Sequence, residues 1–365
     1  SDSYTTGIRQ DTYYSGPSWN RYFNPDLTWE VGEKINLGLD LQLFNDFNLT
    51  FDIFREKRRD IFMTRENSIP EIVGTGETKI TSNNGEMENK GLDLAIDYNK
   101  QITKDFFLSF KSTLTFARNK VLKMDEPPYF EYPGLSDVGH PLGTYWGYVA
   151  DGLFPDQETI DNSPRQDLGY TPQPGDIKYV NQPNAKGEYD NVINSNDRVA
   201  IGHPYDPELV YGFGPSMKWK NWDFSFFFQG VARTSFMMYG MHPFGTTSIK
   251  NMLQFVADDH WSVDNPNPNA AYPRLTKDSN GNNDQYSTYW LRNAAFLKLK
   301  NAEIGYTYKG MRFYLSGVNL LTFSPFKHWD PEMGGGNGLY YPTQSVQYWF
   351  SNDHTVIKRY KIIKL

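Results

Sequence analysis

Residues 209–230 read LVYGFGPSMKWKNWDFSFFFQG, and this stretch limits the fold more than any other. Leu209, Tyr211, Phe213, Met217 and Trp219 alternate with Val210, Gly212, Gly214, Ser216 and Lys218. After Asn221 the alternation resumes, with Trp222, Phe224, Phe226 and Phe228 against Asp223, Ser225 and Gln229. A period of two is the signature of a β-strand with one apolar face. A lone hairpin cannot bury such a face, so it must meet a second sheet or lipid.

The pattern recurs. Ile35, Leu37, Leu39, Leu41 and Leu43 oppose Asn36, Gly38, Asp40 and Gln42. Leu49, Phe51 and Ile53 form another set, as do Leu92, Leu94, Ile96 and Tyr98, then Phe106, Leu108, Phe110, Leu114 and Phe116. Residues 295–308 and 311–321 read as strands too, with a change of phase near Asn301 that predicts a bulge. Val346, Tyr348 and Phe350 begin a ninth strand, followed by a basic tail at 351–365. Short turns are expected at Asn45–Asp46, Asn99–Lys104, Asn221 and Lys309–Gly310. Long connections are expected over 63–89, 119–208, 231–293 and 323–343.

Short and long connections alternate strictly, so an antiparallel array gathers the long loops at one end, as in outer-membrane barrels. Aromatics flank each short turn: Phe44 and Phe47, Tyr98 and Phe106, Trp219 and Trp222, Tyr308 and Phe313. At one level of a barrel these would form an interfacial girdle. A β-sandwich closed by aromatic plugs is the competing architecture. Within the third long loop a helix is expected over 248–261, with Ser248 as N-cap and Ile249, Met252, Leu253 and Val256 on one face.

Composition agrees with aromatic strands joined by polar loops: 16% aromatic residues coexist with a mean hydropathy of −0.64. A net charge of −7 argues against nucleic acid as a partner. No apolar run is long enough for a transmembrane helix, which leaves barrel strands open. The absence of cysteine removes disulfides and thiolate metal sites.

Several motifs are then recognisable. GHPLGTYWGYVADGLFPDQETIDNSP (139–164), PGDIKYV (174–180) and NDRVAIGHPYDPELVYGF (196–213) follow one another. STYWLRNAAFLKLKNAEIGYTY (287–308), SGVNLLTFS (316–324) and WDPEMGGGNGLYYPTQ (329–344) come after them, and NPDLTWE (24–30) precedes them all. In this order they resemble the SusC/RagA-type TonB-dependent transporters of Bacteroidetes outer membranes. The resemblance implies an all-β fold, a transmembrane barrel of about 22 strands, of which residues 1–365 would be a C-terminal portion of about nine. The plug domain and the TonB-contact segment would lie outside this sequence, making it a non-autonomous piece. It further implies TonB-driven uptake of a large nutrient such as an oligosaccharide or peptide, with a SusD-like surface lipoprotein capping the barrel. A soluble or surface-attached glycan-binding sandwich is the alternative.

No catalytic constellation is visible. The six histidines show no HExxH or other close ligand spacing, and GTGETK (74–79) lacks the spacing of a phosphate loop. An enzyme is not expected. Loop aromatics Tyr145, Trp146, Tyr148 and Trp290 are candidates for stacking on substrate, although long loops also need aromatic cores of their own. Asp40, Gln42, Asp93, Asp97 and Lys111 fall on the polar strand face and are expected to face the lumen. In relatives, a calcium-loop-like DxNxDG run lies where this sequence has NQPNAKGEYDNVINSND. The stretch lacks the carboxylate ladder and terminal Glu of a strong site, leaving Asp190, Asn194 and Asp197 as calcium candidates.

Overall fold

A computed structural model of the chain describes residues 22–65, 67, 80–238, 253–276 and 280–335. Of the remainder it describes only the backbone of strand segments at 2–6, 12–16, 244–245, 248–249, 347–352 and 358–360. Its dominant element is an antiparallel sheet in which eight long strands follow one another: β1 (Val31–Leu43), β2 (Phe47–Thr64), β3 (Thr81–Thr103), β4 (Phe106–Lys123), β5 (Leu209–Trp219), β6 (Trp222–Ala232), β7 (Phe296–Tyr308) and β8 (Met311–Phe323). Two shorter strands continue it, β9 (Gln347–Asn352) and β10 (Lys358–Tyr360). The sheet thus holds ten strands rather than nine, because the basic tail adds a pairing, Tyr348 with Tyr360.

Register keeps the two faces separate. Leu39, Phe51, Leu94, Leu114 and Tyr211 lie in one row across five strands, and Asp40, Thr50, Ala95, Thr113 and Gly212 in the next. Because side chains alternate along a strand, adjacent rows point to opposite sides. The expected bulge is present: Phe227 pairs with Asn301 and Phe228 with Leu299, so Lys300 is the extra residue.

Nothing among the described residues covers the apolar face. Ile35 is 68% exposed and Leu37 67%, and Leu39, Ile53, Trp219, Trp222, Leu315 and Leu321 are exposed with them. A sandwich would bury these side chains in its centre. The buried cluster instead consists of loop residues, among them Tyr148, Leu153, Ile177, Tyr179, Phe236, Val256, Trp261, Tyr272 and Trp290. The hydrophobic core therefore sits in a crown at the long-loop end of the sheet, while the sheet itself presents an apolar outer surface.

Several expected boundaries shift. β2 runs to Thr64 and β3 begins at Thr81, well inside the loop expected over 63–89. β3 also continues past Asn99, so its turn is only Lys104–Asp105, with Thr103 paired to Phe106. The helix is a single turn at Gln254–Asp258, capped by Leu253 without a side-chain hydrogen bond. Ser248 pairs with Gly245 in a short hairpin, so it is no N-cap. The side chains of Ile249 and Met252 lie outside the described residues.

Candidate functional site

The crown is assembled from connections 124–208 and 233–295, joined by a polar latch. At the PGDIKY turn Gly175 has φ +88°, and a Cβ there would lie 2.2 Å from the Trp261 ring, so glycine alone fits. The turn aims Asp176 into the interior, where it is fully buried. Its Oδ1 accepts from Arg274 Nε at 2.7 Å, Asn283 Nδ2 at 2.8 Å and Asn280 Nδ2 at 3.0 Å, and its Oδ2 accepts from the Gln173 N–H at 2.8 Å. Asn282, also fully buried, donates to the Ile177 carbonyl at 2.9 Å. The Tyr179 hydroxyl donates to the Asn282 carbonyl at 2.8 Å, and burial pushes that hydroxyl far above its ordinary pKa, so it stays a neutral donor. A buried network with its partners in place fixes one arrangement of two long loops.

Beside this latch lies a cavity of about 250 Å³, lined by Tyr272, Arg274, Asn283, Tyr286, Trp290 and other crown residues. A larger open cleft of about 880 Å³ runs along 154–173, with Tyr170, Arg165 and Asp167 on its walls.

The stacking candidates have separate fates. Tyr148 is buried and packs against Tyr179 with ring centroids 5.2 Å apart. Trp290 is largely buried, donates to the Asn283 carbonyl at 2.6 Å, and shows part of its surface to the cavity. Trp146 donates to Asp137 at 2.6 Å and meets His140 edge-on, while Tyr145 is half-buried against the core. The structure does not gather these four on one platform.

The polar-face candidates are brought together. Thr50 donates to Asp40 at 2.7 Å, Thr115 donates to Asp93 at 2.6 Å, and Lys111 lies 3.7 Å from Asp97. Gln42 stands opposite Asn48, which in turn stands opposite Asp97. All five belong to rows of one face, opposite the leucine rows.

The calcium candidates hold a turn. Asp197 is buried and accepts backbone N–H groups from Gln182 at 2.6 Å and Asn194 at 2.7 Å; burial raises its carboxyl above the ordinary value. Asn194 accepts from Asn196 N–H at 2.8 Å, and Asp190 from Val192 N–H at 3.0 Å. These side-chain oxygens are thus engaged with backbone N–H groups of the turn. Among the described residues no group of three or more His, Asp or Glu side chains converges on a metal position.

Sequence reasoning missed Asp176, Asn280, Asn282 and Asn283. The PGD turn and the NGNND run were the available signals, but their pairing across more than 100 positions is visible only in three dimensions.

Comparison with known proteins agrees with this geometry. Residues 2–320 match the family model described as TonB dependent receptor-like, beta-barrel. TonB-dependent receptor P26 of Formosa agariphila is 28% identical over 359 residues, covering 91% of this chain and 34% of that protein. TonB-dependent receptor SusC of Bacteroides thetaiotaomicron is 28% identical over 351 residues, covering 89% and 32%. The chain thus spans about a third of the length of the curated relatives it matches. The RagAB peptide importer in its closed-closed state superposes with a TM-score of 0.68 at 22% identity, over 96% of this chain and 38% of that one. With an apolar outer face that no described residue covers, a polar face opposite it and a loop crown at one end, the chain belongs to the TonB-dependent receptor-like β-barrel family, and its sheet is outer-membrane barrel wall.

Proposed function

We propose that the whole protein imports a large nutrient, an oligosaccharide or a peptide, across the outer membrane with energy delivered through TonB. The observation that carries this reading is the division of labour in the fold: an apolar wall for lipid, a polar inner face, and a rigidly latched crown at the mouth. In this account Asp40, Gln42, Asp93, Asp97 and Lys111 line the lumen, where they meet plug or cargo. A SusD-like surface lipoprotein covers the crown and shares in capture, as the likeness to SusC and to the RagAB importer supports. Of the four stacking aromatics, Trp290 lines the cavity and Trp146 is half-buried, whereas Tyr148 serves the core.

Uptake is tested by deleting the gene and comparing growth on a panel of glycans and peptides as limiting nutrients. The reading expects a growth defect on one class, reproduced by depleting TonB. Growth unaffected by the deletion on every nutrient, or a defect independent of TonB, overturns it.

A further inference from the structure

Arg292 is placed unlike the enclosed cations Arg274 and Lys298. Arg274 is paired with Asp176, and Lys298 with Asp330 and Glu332. Arg292 donates through Nη1 only to the carbonyls of Tyr289 (2.6 Å) and Leu291 (3.2 Å), and it approaches the Tyr272 hydroxyl. No carboxylate pairs with it among the described residues.

The aromatic side chains around it carry no negative charge at neutral pH. Burial raises the hydroxyls of Tyr272 and Tyr289 above their ordinary values, so both remain protonated. Burial also lowers His328, whose Nε2 lies 3.3 Å from the Tyr272 hydroxyl, so this ring is neutral. Asp259 acts on the two tyrosines but forms no ion pair with Arg292. A half-buried guanidinium without a carboxylate partner is costly, and the N–H groups left over by the two carbonyls suit a carboxylate oxygen.

We infer that Arg292, with the Tyr272 hydroxyl beside it, binds a carboxylate group of the ligand at the barrel mouth. The carboxylate comes either from a uronic acid in a glycan or from the C-terminus of a peptide. The flat faces of Phe255 and His328, stacked with centroids 3.9 Å apart next to Tyr272, bound the site on one side. The inference rests on the import reading for the presence of a nutrient at the crown, but binding is measurable without transport.

The experiment is calorimetric titration of the whole protein in detergent with two matched pairs. One pair is trigalacturonate and neutral galactotriose; the other is trialanine with a free C-terminus and its C-terminal amide. The inference expects saturable binding of one acid and binding at least about tenfold weaker for its neutral counterpart. Arg292→Met should abolish the preference for the acid and Arg292→Lys should retain part of it. Heat-modifiable gel migration identifies correctly folded barrels, and should Arg292→Met fail that test, the Lys variant's loss of affinity carries the comparison. The acid that binds identifies the source. Absence of binding by both acids, or equal binding by wild type and variants, overturns the inference. Intact acid binding in cells that show no uptake would overturn only the import reading.

Discussion

Lys298 on β7 and Asp330 in the following loop form the most deeply enclosed ion pair of the described residues: Nζ is 2.5 Å from one carboxylate oxygen and 2.6 Å from the other, and the lysine side chain is 0% exposed. Glu332 adds a third oxygen at 2.6 Å and also pairs with Lys300. The FLKLK strand and the WDPEM loop are thereby clamped together. Replacing both Asp330 and Glu332 by Ala would strand a buried ammonium, at a cost of about 3–5 kcal/mol. Lys298→Met should cost less, because the two carboxylates keep some contact with water. Denaturant unfolding of the whole protein in detergent, read from Trp329 fluorescence, checks the order.

The clamp should also weaken in acid. Burial alone would raise the Glu332 carboxyl, but hydrogen bonds from Lys298 and Lys300 prevail and hold it below its ordinary value of 4.5. A depressed folded-state pKa contributes stability that is present above the unfolded value and lost as pH falls through the folded one. Proteolysis of the 324–335 loop should therefore accelerate below about pH 4.5, and Glu332→Gln should remove much of that dependence. Asp197 has the opposite sign, since burial raises its carboxyl. A local probe of the loop is consequently more informative than a global melt.

The crown latch makes a third prediction. Asp176→Ala leaves Arg274, Asn280 and Asn283 without their shared acceptor in the interior, and should cost about 3–5 kcal/mol. Gly175→Ala should loosen the same turn by collision with Trp261 and by strain at φ +88°. Both variants should still form barrels with normal heat-modifiable migration but show faster protease cleavage within 124–208. Unchanged cleavage would separate the latch from crown rigidity.

Neighbouring residues on β1 should respond oppositely to charge. Leu39→Arg places a cation in the apolar outer row and should cost roughly 2–4 kcal/mol near the bilayer midplane. Asp40→Arg, one residue on and facing the other way, should fold normally. Refolding yields into lipid vesicles measure the difference.

Alternation made eight strands and the bulge near Asn301 legible because lipid and water impose opposite demands on adjacent residues. It failed where both faces are polar. Beyond Ile53 and before Leu92 the strands read REKRRD and TSNNGEMENKG, without a period of two. There β2 and β3 are joined by ion pairs, Arg55 with Glu88 at 2.5 Å and Lys57 with Glu86 at 3.1 Å, while Lys34 of β1 reaches Glu56 at 3.4 Å. Polar cross-strand pairs stabilise a ladder without leaving a hydrophobic pattern. The crown was less legible still, since its contacts join positions more than 100 residues apart and its aromatics could serve core or ligand equally well. Tyr148 and Tyr179 pack together in the interior, whereas Trp290 reaches both the interior and the cavity.

The central claim is that the leucine rows meet lipid and the aspartate rows meet water. These 365 residues contain no cysteine, so none of them competes with a reporter placed among them. The most direct measurement is labelling of Leu39→Cys and Asp40→Cys in native outer membranes with a charged, water-soluble maleimide and a lipid-partitioning one. The account predicts that the charged reagent modifies position 40 and spares position 39, and that the lipid-soluble reagent shows the reverse preference. Equal modification of both positions by the charged reagent would contradict it.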